Sequence, residues 1–349
     1  MKYVYLITLL SGILTSPAGK GNIPNKMLTA NGADRPASLG ITGDTSDITT
    51  PTKGGVVLMG GGKDVDAAFK WMIEQSGGGD VVILRATGTD AYNSYVNKLG
   101  KVNSVETLKI DSRELAENEK VAATIRNAEM LFIAGGDQSN YLKYWKGTKT
   151  MDAINYLLTE KKAPVGGTSA GCAILGEAYY SGEKESVTSK EALADPYNPN
   201  VTVYPGGFLH APFLDKVITD QHYVARKRQG RHMAFLARLI KDHNFAPKGI
   251  AADERTAVCI DDAGQAKVFG SGTAYFLQTD SHRQPENCVQ GHALNWKADQ
   301  KAVKVYEIPA SLMGAGNFDV AGFSEQSAQG GKWQWWNVEN GVLQIINKD

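Results

Sequence analysis

From Val56 onward, short apolar runs rich in β-branched residues alternate with segments of helical period, and this alternation limits the fold more than any other feature of the chain. Residues 56–59 form such a run, 64–75 carry a helical period, and 81–84 are again apolar. The same reading makes 105–110 and 130–134 the next strands, 117–127 and 151–160 helices, and 164–167 a further strand. Strands that are apolar throughout, rather than alternating, belong to a parallel sheet covered on both faces. The pattern therefore predicts an α/β protein, a three-layer sandwich around a mostly parallel sheet. Ligands bind such sheets beyond the carboxyl ends of the strands, so the loops after Met59, Leu84, Ala134 and Gly167 are the places to look for chemistry.

The last of these loops carries the most specific signal. Gly167, Thr168, Ser169, Ala170 and Gly171 match the G-x-S-x-G nucleophile elbow, directly after a strand and before the helix-compatible residues 172–175. A sharp strand-to-helix turn holds the serine in a strained conformation, and flanking glycines allow the backbone to pack closely around it. The hydroxyl is then presented at the sheet edge, and the Ala170 N–H at the start of the helix is placed to bind a developing oxyanion. In the loop after Ala134, Gly135 and Gly136 let backbone N–H groups approach a ligand, so Gly136 is the second oxyanion candidate. Gly60, Gly61, Gly62 and Lys63 lack the ending of a phosphate loop and read as a tight turn without a nucleotide.

A serine nucleophile needs a base, usually histidine, and a carboxylate to orient it. Of the six histidines, His222 stands out, because it follows Asp220 and Gln221 and precedes Arg226, Arg228 and Arg231. On a helix His222 would share a face with Arg226, and Arg228 with Arg231. The alternative reading of this cluster is a solvated basic helix start. No histidine pair has metal-ligand spacing, so no metal and no cofactor is expected.

Composition bears on partners and location. The 37 basic and 37 acidic side chains cancel, which gives no electrostatic footprint for nucleic acid or an anionic membrane surface. Lys2 followed by the apolar run 3–14, with Ser16, Pro17 and Ala18 after it, has the layout of a signal peptide cleaved after Ala18. The run is too short and too interrupted for a membrane anchor. The expectation is a secreted or periplasmic protein, off the membrane once the leader is removed. Residues 19–53 are rich in Gly, Pro, Ser, Thr, Asn and Asp and read as an irregular tether, with folded structure from Gly54. In an oxidising compartment Cys259 and Cys288 have the option of pairing, with Cys172 alone; three buried thiols is the other option.

Five ordered motifs resemble those of the cyanophycinases and the related α-aspartyl dipeptidase E group of serine peptidases. They are the glycine turn at Gly60, Gly135–Gly136–Asp137–Gln138, the elbow at Ser169, Asp220–Gln221–His222 with its spaced arginines, and the GIAADERT segment from Gly249 to Thr256. The resemblance covers about residues 54–274 and implies a flavodoxin-like sandwich. It makes Ser169 the nucleophile and His222 the general base, and lines a substrate pocket with Gln138, Asp220, Gln221, Arg226, Arg228 and Arg231. It also implies a triad carboxylate in the polar loop 181–186, at Glu185 or, failing that, Glu183. The implied substrate is a polymer with a poly-aspartate backbone carrying arginine on its β-carboxyl groups, cut through an acyl-enzyme to dipeptides by an exopeptidase. The interval 186–208 is longer than in the family and holds three prolines, which bears on substrate identity. A dipeptidase with another aspartyl preference and a non-catalytic ligand-binding homologue are the rival readings.

Residues 275–349 say less. Segments 303–308 and 342–346 read as strands, and Trp333, Trp335 and Trp336 form a cluster that suits either a polymer-binding surface or packing. The expectation is a small β-rich extension packed on the catalytic domain. A homodimer is compatible with the sequence, which does not set the oligomeric state.

Overall fold

The computed structural model describes residues 35–348. The expected signal peptide and the first part of the expected tether lie outside the described residues. Among the described residues, no helix is long and apolar enough to cross a membrane.

In chain order the strands are β1 (Ser38–Gly43), β2 (Gly55–Met59), β3 (Asp80–Arg85), β4 (Ser104–Lys109), β5 (Met130–Ile133), β6 (Pro164–Thr168), β7 (Tyr179–Tyr180), β8 (Val203–Tyr204) and β9 (Val217–Asp220). They continue as β10 (Lys248–Ala252), β11 (Thr256–Asp261), β12 (Gln265–Gly270), β13 (Thr273–Gln278), β14 (Val303–Pro309), β15 (Ala315–Asp319), β16 (Lys332–Glu339) and β17 (Val342–Asn347). Nine of them form a sheet ordered β1-β4-β3-β5-β6-β2-β11-β12-β15. Its centre, from β4 to β2, is parallel, and antiparallel strands flank it.

The continuous apolar strands are explained by helices on both sides. Val57, Met59, Ile83 and Phe132 pack against Phe69, Met72 and Val96 of helices Asp66–Gln75 and Ala91–Leu99. Their strand neighbours Val56, Leu58, Leu84 and Ile133 face the other way, onto Val121, Ile125, Trp145 and Ile154 of helices Glu119–Asn127, Gln138–Trp145 and Lys149–Tyr156. Side chains alternate across a strand, so each strand serves both cores. This is the three-layer sandwich with a mostly parallel sheet that the sequence predicts.

A second sheet of six strands, ordered β17-β16-β14-β13-β10-β9, was not expected as such. Only β9 and β10 are parallel in it. One face packs on helix Gln229–His243 through Ala251, Tyr275, Val305 and Trp336, and the other joins the first core through Ile250, Phe276, Tyr306 and Ile308. The expected boundary at 274 falls inside β13, and the C-terminal strands β14, β16 and β17 lie with β9, β10 and β13 in a sheet separate from the nine-stranded one. The expected start of folded structure at Gly54 is also too late, because β1 lies within the expected tether and pairs with β4.

Strands β14 and β17 match the two expected in this region. The tryptophans divide between packing sites, Trp336 against Tyr223 and Tyr275 and Trp333 against Tyr306. All three cysteines are free and buried. Cys259 and Cys288 belong to different cores, which is why they do not pair.

Candidate active site

Ser169 follows β6 and precedes the short helix Ala170–Ala173. Its backbone has φ 52° and ψ −113°, a left-handed conformation that costs a non-glycine residue about 1–3 kcal/mol. Two main-chain hydrogen bonds fix it, from its own N–H to the Met59 carbonyl (3.0 Å) and from the Ala173 N–H to its carbonyl (3.0 Å). The flanking glycines are required: a Cβ at Gly167 would lie 2.5 Å from the Gly171 carbonyl, and one at Gly171 would lie 2.2 Å from the Ile133 oxygen. The elbow expected from the sequence is therefore present, for the reason expected.

The candidate base comes from the other sheet. His222 lies just past β9, also in a left-handed conformation (φ 48°), and its N–H donates to the Gly60 carbonyl (2.7 Å). Ser169 Oγ lies 2.8 Å from His222 Nε2, and His222 Nδ1 lies 2.7 Å from Glu254 Oε1. An ionised carboxylate only accepts, so the Nδ1–H donates to Glu254 and Nε2 is left to accept the serine proton. Burial pulls the imidazole below its ordinary pKa, the Glu254 hydrogen bond pushes it back up, and Arg226 and Arg228 lower it further; the net shift is downward. The hydrogen bond from His222 holds Glu254 below the usual carboxylate range. Neutral imidazole is thus the resting form at neutral pH.

The carboxylate against His222 is Glu254, and neither Glu185 nor Glu183 takes that place. Strand β7 pairs with β8, and the loop that follows β7 lines the pocket with Gly182, Lys184, Glu185 and Ser186 rather than approaching the imidazole. There Glu183 Oε1 accepts from the Tyr204 hydroxyl (2.6 Å), and Glu185 uses its main-chain carbonyl to accept from Tyr180 (2.9 Å). Glu254 reaches the imidazole because β9 and β10 are parallel neighbours with Ala251 opposite Asp220, so the residues just past their ends meet side by side. An available signal was an acid just past the carboxyl end of an apolar strand, in the segment GIAADERT. The glycine turn after β2 also matters more than expected. Gly61 has φ +92°, and a Cβ there would lie 2.4 Å from the His222 ring.

A pocket of about 290 Å³ opens over Ser169 and His222, and Gly136, Gln138, Tyr180, Glu185, Gln221, Arg226, Arg228 and Arg231 are among its lining residues. Asp220, expected in that lining, is not part of it. Its side chain is 1% exposed, and both oxygens are taken by Arg231, through Nε (2.9 Å) and Nη2 (2.5 Å), with Arg228 Nη1 at 3.7 Å. Burial raises the Asp220 pKa, and the two arginines more than reverse that. A bidentate pair of this kind fixes a guanidinium's plane as well as its position. The expected helix over His222 and Arg226 is replaced by a turn, closed by the Arg226 N–H on the His222 carbonyl (2.9 Å), and the helix proper starts at Gln229. Among the described residues, no group of three or more His, Cys, Asp or Glu side chains is placed to hold a metal ion.

Residues 56–268 match the family model of peptidase family S51. Cyanophycinases of Synechococcus elongatus and Thermosynechococcus vestitus are each 28% identical over 234 residues, covering 63% of this chain and 67% of theirs. The cyanophycinase of Trichormus variabilis is 28% identical over 169 residues, 48% of this chain and 51% of its own. Similar solved structures are a peptidase from an acI-B1 Actinobacterium (TM-score 0.48, 16% identity, 64% of this chain and 91% of that one) and a putative peptidase E from Listeria monocytogenes (TM-score 0.39, 16% identity, 63% and 99%).

Proposed function

The chain belongs to peptidase family S51, whose members are serine-type peptidases, and from that premise we propose that Ser169, His222 and Glu254 form its catalytic triad. The observation that carries this reading is the unbroken hydrogen-bonded line from Ser169 Oγ through the imidazole to Glu254. Ser169 Oγ attacks the carbonyl carbon of the scissile amide while His222 Nε2 takes its proton. The oxygen that becomes negative is held by the N–H groups of Gly136 and Ala170. The C–N bond then breaks, the proton on His222 passes to the departing amine, and Ser169 is left as an ester. Water attacks that ester, gives a proton to His222, and the second product leaves as the serine recovers its hydrogen.

The substrate we infer is an aspartyl-arginine polymer or a related isoaspartyl peptide, cut to dipeptides. The arginine row supports this, since Arg228 and Arg231 share the single charge of Asp220 and Arg226 lies on the rim, so the pocket keeps positive charge for a free carboxylate. Glu185, in the same lining, suits the guanidinium of the same substrate. The names of the cyanophycinase relatives point the same way. The apolar run after Lys2 supports export, which would let the enzyme act on polymer released outside the cell.

Incubation of the purified protein with cyanophycin and with Asp-X dipeptides tests the reading. Release of β-aspartyl-arginine is the expected result. Hydrolysis of Asp-X dipeptides alone would replace the polymer by a dipeptidase substrate, and binding without hydrolysis of any aspartyl substrate would replace the peptidase by a binding protein.

A further inference from the structure

His222 occupies a conformation that a β-carbon disfavours, on a turn in which Tyr223 is buried and Val224 to Lys227 are exposed. A strained residue persists only where its surroundings over-determine it. Glu254 and Gly60 hold the imidazole and the N–H of His222, but neither holds the turn that follows. That turn is one cycle of helix-like bonds, from the N–H groups of Arg226, Lys227 and Arg228 to the carbonyls of His222, Val224 and Tyr223. As at any helix start, its first N–H groups have no partner within the turn.

The missing partner is Asp253. Its Oδ1 accepts from the Val224 N–H (3.0 Å) and from the Ala225 N–H (2.9 Å). Its own N–H donates to the Thr273 carbonyl (3.0 Å), which anchors it to β13. Two consecutive residues beyond β10 thus divide the work of seating one histidine, Asp253 on the backbone and Glu254 on the ring. The neighbouring Arg226, which lines the pocket, rides on the same turn.

We propose that Asp253 is a positioning residue, a remote cap for the turn 222–228 that sets the orientation of the His222 ring and the place of Arg226 without touching substrate. The inference rests on His222 being the base. It needs one carbonyl-type oxygen and not a charge, so asparagine serves and alanine does not. Val224 and Ala225 are exposed, so water satisfies their N–H groups when the cap is removed, and the fold survives while the turn loosens.

The experiment compares wild type with Asp253→Ala and Asp253→Asn by amide hydrogen exchange and by steady-state kinetics. In Asp253→Ala the Val224 and Ala225 amides lose protection, and kcat falls by about 10- to 100-fold, the scale of a misplacement near 1 Å. Asp253→Asn keeps the protection and stays within about 3-fold of wild type. Unchanged exchange in Asp253→Ala, or an Asn variant as impaired as the alanine one, overturns the proposal. The exchange result does not depend on turnover, so a failure of the peptidase reading would leave this test intact. Should the alanine variant not fold, the comparison of wild type with the asparagine variant still decides whether an acceptor or a charge is needed.

Discussion

Ser169 and the two side chains aligned with it come from regions of opposite character. Ser169 directly follows β6 of the nine-stranded sheet, and what its strained geometry needs lies within residues 167–173, apart from one carbonyl at Met59. His222 and Glu254 stand past β9 and β10 of the second sheet, 32 residues apart in the chain, and meet only because those strands are parallel neighbours. The first half of the site is a local motif, and the second is a product of topology. A local motif survives wherever its short segment folds, whereas the topological half depends on how two sheets are held together at the Gly60–Gly61 turn.

The comparison breaks most visibly at Ser169. Ser169→Ala should lower turnover by about 10³-fold or more with the fold intact, as measured by steady-state hydrolysis. A variant retaining most activity would remove the elbow from the mechanism. Glu254→Ala should cost less than loss of the serine, because the acid orients the base and does not itself react with substrate. It should also move the pH profile in a defined direction. His222 works only when neutral, so activity is present above its depressed pKa and is lost as pH falls through it, below the ordinary value of about 6.5. The Glu254 hydrogen bond raises that pKa, so its removal should shift the acid limb to still lower pH; a shift upward would contradict the pairing.

The join between the halves is tested by Gly61→Ala. A β-carbon 2.4 Å from the imidazole must displace it, and about a 10-fold loss of kcat is expected with a smaller change in KM. The smallest effect belongs to Glu185→Ala, which should change kcat by less than about 3-fold while altering KM for substrates that carry a cation. A loss of kcat matching that of Glu254→Ala would restore Glu185 to the triad.

The same contrast explains what could be read from the sequence. The parallel centre of the first sheet is legible because β2, β3 and β5 are apolar on both faces, and the elbow because its glycines and serine lie within five residues. Arg226, Arg228 and Arg231 reach the pocket as expected. Asp220 falls outside the pocket because both of its oxygens are taken by an arginine 11 residues on, which nothing in the sequence shows. The sequence reading places the acid partner of the histidine in the loop between serine and histidine, whereas Glu254 follows the histidine and is brought to it by strand pairing that composition does not encode. The C-terminal strands were recognised singly, but their place in a sheet with β9 and β10 rests on long-range antiparallel pairing of the same kind. Strand β1 was missed because its six residues, Ser38 to Gly43, are neither apolar nor alternating and are held by pairing with β4.

The central claim is that Ser169 is a nucleophile activated by His222 across the two sheets. Intact-mass and peptide mapping after reaction with a fluorophosphonate test it without knowledge of the substrate. One phosphonyl group on Ser169, formed in wild type and lost in Ser169→Ala and His222→Ala, is the predicted result. Labelling that persists in either variant, or an unmodified Ser169 in a folded wild-type protein, would contradict it.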